Sequence, residues 1–118
     1  MNRAVVIDEN MILSSKINNI LKNQGLETKV ISFAKSNLVD KLKEFNAELV
    51  IINLESRANN SLEIIKNIKE NLPEAKIVGY AGHANINLME NAKNLGADLV
   101  VSNGVVVSQL PQIINSLK

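Results

Sequence analysis

The chain of 118 residues contains no cysteine and no tryptophan, and aromatic residues make up only 3% of it. Without thiols there is no disulfide, no thiol nucleophile and no Cys-ligated metal. With so few rings, the core has to be built from Ile, Leu and Val. No apolar run approaches the roughly 20 residues that a membrane-spanning helix needs. Met1-Asn2-Arg3 leads straight into an apolar run with no signal-peptide pattern, so the cytoplasm is the expected location. The net charge of +1 provides no strong field for nucleic acid or an anionic membrane. Linkers, repeats and low-complexity segments are also missing, and a single domain over 1–118 is expected.

What is present is an alternation of short apolar runs and helical periodicities. Ala4-Val-Val-Ile7 reads as a first buried strand with Asp8 and Glu9 at its carboxyl end. Ile12, Leu13, Ile17, Ile20 and Leu21 recur at helical spacing, and Gly25 stops that helix. Thr28–Ser32 is a second, less apolar strand, near an edge of the sheet. Ser36 is placed to cap a helix bearing Leu38, Leu42 and Phe45, and Asn46 to end it in the left-handed conformation.

Leu49–Ile52 is the most apolar strand, and it stops at Asn53. A polar loop from Glu55 to Asn60 leads to a helix marked by Leu62, Ile65, Ile68 and Leu72, with Pro73 past its end. Ala75–Tyr80 is a fourth strand. Gly82–Asn85 is a loop, Ile86–Leu95 a helix stopped by Gly96, and Asp98–Ser102 a fifth strand. Asn103-Gly104 is a turn signal. The last helix carries Leu110, Ile113, Ile114 and Leu117, with Ser108 as its expected N-cap and Pro111 in its first turn. Five strands alternating with five helices through short loops make a doubly wound parallel α/β domain. In such sheets ligands and chemistry sit at the carboxyl ends of the strands, where Asp8, Asn53 and Tyr80 stand.

Several segments in this order resemble the receiver domain of two-component response regulators. They are Val5-Val6-Ile7-Asp8-Glu9, Glu48-Leu-Val-Ile-Ile-Asn53, Lys76-Ile-Val-Gly-Tyr-Ala81 and, most specifically, Asn94-Leu-Gly-Ala-Asp-Leu-Val-Val-Ser-Asn103. The resemblance covers nearly the whole chain. It implies a flavodoxin-like sheet of order 2-1-3-4-5, with a site above the first and third strands. It also implies phosphoryl transfer onto an aspartate at the end of the third strand, with Mg²⁺ held by the acids after the first. Asp8 and Glu9 match those acids. Asn53 stands at the acceptor position, Tyr80 at a Thr or Ser, Asn103 at a Lys and Gly104 at a Pro.

Each departure has a consequence. The carboxamide of Asn53 has no anionic oxygen to attack phosphorus. Asn103 supplies no cation for an incoming phosphoryl oxygen. Tyr80 puts a ring where a small hydroxyl would stand. The reading that follows is a degenerate receiver, not an enzyme, that takes part in signal transduction through protein contacts. Its alternative is a receiver still phosphorylated with Mg²⁺ on a substitute carboxylate, Glu55 or Asp8.

No cofactor is expected beyond weak Mg²⁺ binding at Asp8 and Glu9, which as hard-oxygen ligands are either a residual site or relics that cap the first helix. Glu55 reads as a solvated loop acid. His83 reads as an exposed loop histidine, because no Ser or Cys partner is visible for it. For contacts, the fourth helix from Ile86, an edge strand through Val100 and the run Val105-Val106-Val107 form the expected face for a protein partner or a second copy.

Overall fold

The computed structural model describes all residues, 1–118. Its ten elements are β1 (Arg3–Ile7), α1 (Met11–Asn23), β2 (Glu27–Ile31), α2 (Leu38–Phe45), β3 (Leu49–Asn53), α3 (Ser61–Asn71), β4 (Lys76–Ala81), α4 (Ile86–Asn94), β5 (Leu99–Ser102) and α5 (Asn103–Leu117). The five strands form one parallel sheet in the order β2-β1-β3-β4-β5. The expected fold class is therefore the observed one.

The period-2 alternation of the strands sorts side chains between two layers. Ala4, Val6, Leu49, Ile51, Val78 and Tyr80 face α1 and α5 and pack on Ile17, Leu21, Val106, Leu110, Ile113 and Ile114. Val5, Ile7, Val50, Ile52, Ile77 and Val100 face the opposite layer of α2, α3 and α4. β1, β3 and β4 are apolar on both faces because both are covered. β2 lies at an edge and is the least buried strand.

Most helix ends follow from local chemistry. Asn10 caps α1, its Oδ1 accepting from the N–H groups of Ile12 and Leu13. Gly25 follows that helix at φ 85°, and Asn46 ends α2 at φ 57°, both in the left-handed region. α2, in contrast, starts after Asn37 without a side-chain cap, so Ser36 does not serve there.

α5 also departs from the sequence expectation. It begins at Asn103 directly after β5, capped by Ser102, which accepts from Val105 N. Asn103-Gly104 is therefore the first turn of a helix. Ser108 turns its hydroxyl back to the carbonyl of Gly104 at 2.8 Å. The helix breaks at Gln109 (φ −124°, ψ 17°) and resumes, which leaves Pro111 near the start of the resumed stretch. Proline is tolerated there because its missing N–H would lack an intrahelical partner anyway.

The Gly96-Ala97-Asp98 segment has a structural role. Asp98 Oδ2 accepts from Ile77 N (2.8 Å) and from Lys69 Nζ (2.9 Å), tying β4 and α3 to the entry of β5. The Lys69 stem crosses Gly96 so closely that a Cβ there would lie 2.5 Å from Lys69 Cγ. Gly96 also takes φ +116°, so two independent constraints call for glycine.

Candidate functional site

Asp8 and Asn53 extend the alternation of the face that carries α1 and α5, and Tyr80 already lies in its core. Strand register places Asn53 beside Tyr80. Three side chains from three adjacent strands thus converge at the carboxyl edge of the sheet. The Asp8 carboxylate is fully buried. Its Oδ1 accepts from the backbone N–H of Asn10 (2.8 Å) and from Asn53 Nδ2 (3.1 Å). Its Oδ2 accepts from the Tyr80 hydroxyl at 2.5 Å.

Tyr80 is itself fully buried and is the only tyrosine. Burial pushes its phenol far above the ordinary tyrosine range, and the hydrogen bond to Asp8 and the charges of Asp8 and Glu9 push it the same way. It therefore stays a neutral donor. Asn53 uses both ends of its amide: while Nδ2 donates to Asp8, Oδ1 accepts from Glu55 N at 2.9 Å. A carboxylate at this position could accept from Glu55 but could not donate to Asp8.

Glu9 points elsewhere. Its Oε2 accepts from Ser56 Oγ (2.9 Å) and Ala58 N (2.8 Å). Partial burial opposes ionisation, but these hydrogen bonds outweigh it and hold Glu9 below the usual 4.5. Ser56 Oγ also receives the backbone and side-chain N–H groups of Asn59. The buried Asn59 amide then reaches Ser32 O and Ala34 N. Glu9 thus belongs to a polar staple between the β3–α3 and β2–α2 loops. Asn103 stands at the start of α5 with its Oδ1 buried and without a partner, and no hydrogen bond joins it to Asp8, Asn53 or Tyr80.

These residues suit a divalent cation poorly. Magnesium needs near-octahedral oxygen ligation. Both Asp8 oxygens are already engaged in the interior, Glu9 Oε2 is spent on the loop, and Asn53 turns a nitrogen toward Asp8. None of the surface cavities is lined by Asp8, Glu9, Asn53, Tyr80 or Asn103.

The sequence grouped Asp8, Glu9, Asn53, Tyr80 and Asn103 as one constellation. The structure brings only Asp8, Asn53 and Tyr80 into direct contact. Ser56 and Asn59 were not foreseen, because a polar loop carries no periodicity that would single them out. Glu55 is an exposed loop acid, as expected, and in addition its Oε1 accepts from Gly82 N (2.7 Å) and its Oε2 from Asn85 Nδ2 (3.1 Å). His83 is exposed, as expected.

A model of the response regulator receiver domain family matches residues 4–115. The chain belongs to that family. It is a receiver domain of the kind found in response regulators of two-component signalling. Solved structures repeat the fold. The receiver domain of NtrX from Brucella abortus shares 24% identity over 97% of this chain and 96% of that one, with a TM-score of 0.83. A response regulator from Thermotoga maritima shares 19% over 99% of this chain and 97% of that one, TM-score 0.84. A response regulator protein from Burkholderia pseudomallei, solved with a phosphorylated aspartic acid, a calcium ion and citrate, shares 19% over 100% of this chain and 67% of that one, TM-score 0.83. No curated protein sequence matches. No helix of the receiver is long and apolar enough to cross a membrane.

Two residues do not belong to the expected contact face. Val100 is 8% exposed because it points into the layer of α2, α3 and α4, and Val106 is fully buried under the α1 and α5 side of the sheet. Val105 and Val107 are half-buried against that same core, and Ile86 is 61% exposed.

Proposed function

We propose that this receiver acts in the cytoplasm without phosphoryl transfer at position 53 and signals through protein contacts, not as an enzyme. The observation that carries the reading is the buried Tyr80 hydroxyl on Asp8, with the Asn53 amide on the other carboxylate oxygen. A phosphoryl acceptor needs an exposed anionic oxygen, a nearby cation and open volume. Asn53 is an amide, Asn103 is uncharged, and the buried Tyr80 phenol stands beside Asn53. Of the two acids that remain, Asp8 is satisfied by three donors from within the chain and Glu9 is held by Ser56 and Ala58.

The contact face is formed by Ile86 on α4 together with Val105 and Val107 at the start of α5, and it takes a protein partner or a second copy. The test is the intact mass after incubation with acetyl phosphate and Mg²⁺, which is expected to show no added phosphoryl group. A stable adduct mapped to Glu55 or Asp8 would overturn the reading in favour of a substitute acceptor.

A further inference from the structure

Four of the helices in this receiver follow an asparagine, and one of these, Asn37 before α2, makes no side-chain cap hydrogen bond. Asn10 and Asn60 do what that residue type does at an N-cap: Asn10 Oδ1 accepts from Ile12 and Leu13 N, and Asn60 Oδ1 accepts from Glu63 N. Asn85, in the same place before α4, makes no cap hydrogen bond. Its side chain donates instead to Glu55 Oε2 at 3.1 Å, while Glu55 Oε1 takes the N–H of Gly82 at 2.7 Å. One carboxylate therefore holds both ends of the loop 82–85. The loop's own closure is a single backbone bond, Asn85 N to Gly82 O at 3.0 Å.

Apart from these bonds, the start of α4 is held by Leu88 and Met89, which are half-buried against the core. The helix buries one residue, Ala92, whereas α1 and α3 bury three each. Its first residue, Ile86, is largely exposed. A short, charge-assisted pair of hydrogen bonds is then a substantial part of what orients this end of the helix.

We infer that Glu55 is a built-in latch: its carboxylate fixes the β4–α4 loop and the first turn of α4 in one arrangement, in exchange for the side-chain cap that Asn85 would otherwise provide. The inference rests on the proposed function only in that the latched turn carries Ile86, part of the proposed contact face. The latch sets that face from within the chain, and no added group is required.

Hydrogen exchange of the full chain tests the latch directly. Glu55→Ala is expected to speed exchange of the amides at 82–89 by about fivefold or more while the amides of Val50–Ile52 keep their protection. Asn85→Ala is expected to do the same to a smaller degree, since Glu55 keeps its bond to Gly82, and the double variant to exceed Glu55→Ala by little, because both remove the Glu55–Asn85 contact. Unchanged exchange at 82–89 in Glu55→Ala overturns the latch, as does strict additivity in the double variant. These outcomes are independent of phosphoryl uptake, so a receiver that accepts phosphate with its latch intact would overturn only the proposed function, and a loose loop in a receiver that accepts none only the latch.

Discussion

Asp8 and Glu55 stand at the same edge of the sheet, and each carboxylate collects hydrogen bonds from a neighbouring strand end, but their surroundings differ. Asp8 is buried and its partners Tyr80 and Asn53 are packed beside it. Glu55 is exposed, and so are the bonds it makes. In the low-dielectric interior an unpaired partner has no water to turn to, so the Asp8 cluster is all or nothing. At the surface water competes for each donor, so the Glu55 bonds order a loop without deciding whether the domain folds. The same chemistry yields a fixed plug in one place and an adjustable latch in the other.

The sharpest break of this contrast is Tyr80→Phe. It keeps the ring and removes the donor, which leaves Asp8 Oδ2 buried without a partner. Urea unfolding is expected to show a loss of about 2–3 kcal/mol. A loss under about 0.5 kcal/mol would mean that water replaces the phenol and that the cluster is not sealed.

Asn53→Asp comes next. It replaces the donor 3.1 Å from Asp8 Oδ1 with a second carboxylate. At neutral pH the expected cost is about 2 kcal/mol, shrinking as acid protonates one member of the pair. The two carboxyls should titrate as a coupled set. The variant is expected to take up phosphate from acetyl phosphate poorly, because Tyr80 and Asn103 are unchanged. Efficient uptake would show that those two positions matter little.

Alkali probes the same cluster without mutation. Tyr80 is held above its ordinary value of 10.0 in the folded chain. Its stabilising effect is therefore complete below that value and is lost as pH rises beyond it, by about 1.4 kcal/mol per pH unit. As the chain has one tyrosine and no tryptophan, tyrosinate absorbance should appear only together with loss of the far-ultraviolet circular dichroism signal. Tyrosinate forming in a still-folded chain would contradict the burial.

Glu9 gives the smaller, surface-like counterpart. Its folded value lies below 4.5, so its contribution is present above that value and fades as pH falls through the folded one. Glu9→Gln should cost less than about 1 kcal/mol at neutral pH and flatten the acid limb of the stability curve. The smallest stability change is expected for Ile86→Glu, within about 0.5 kcal/mol, with association weakened because the new charge would have to be desolvated in an interface. Sedimentation at several concentrations, with partner capture by wild type and variant, checks it. Equal association of both would move the contact face elsewhere.

The fold was legible because its signals are periodic. Runs such as Leu49–Ile52 and repeats such as Ile65 and Ile68 mark strands and helices wherever they sit, and Gly25, Asn46 and Gly96 mark helix ends through their left-handed conformation. The starts of α2 and α5 were misread, because Ser36 and Ser108 have the right chemistry for a cap but Asn37 and Ser102 occupy the place. In the site, the residue types at 8, 53, 80 and 103 were visible, the amide at 53 among them.

Sequence alone determined the layered parallel sheet, the positions at its carboxyl edge and the amide at position 53, because these depend on local pattern and residue identity. Only the tertiary structure decided where the polar atoms point. That the Tyr80 hydroxyl meets Asp8 across 72 residues of chain, that Glu9 turns away to the β3–α3 loop, and that Glu55 claims Asn85 from its helix are outcomes of packing. Hydrogen bonds are short-ranged and directional, so their partners are fixed only once the strands have set neighbouring side chains within about 3 Å of one another.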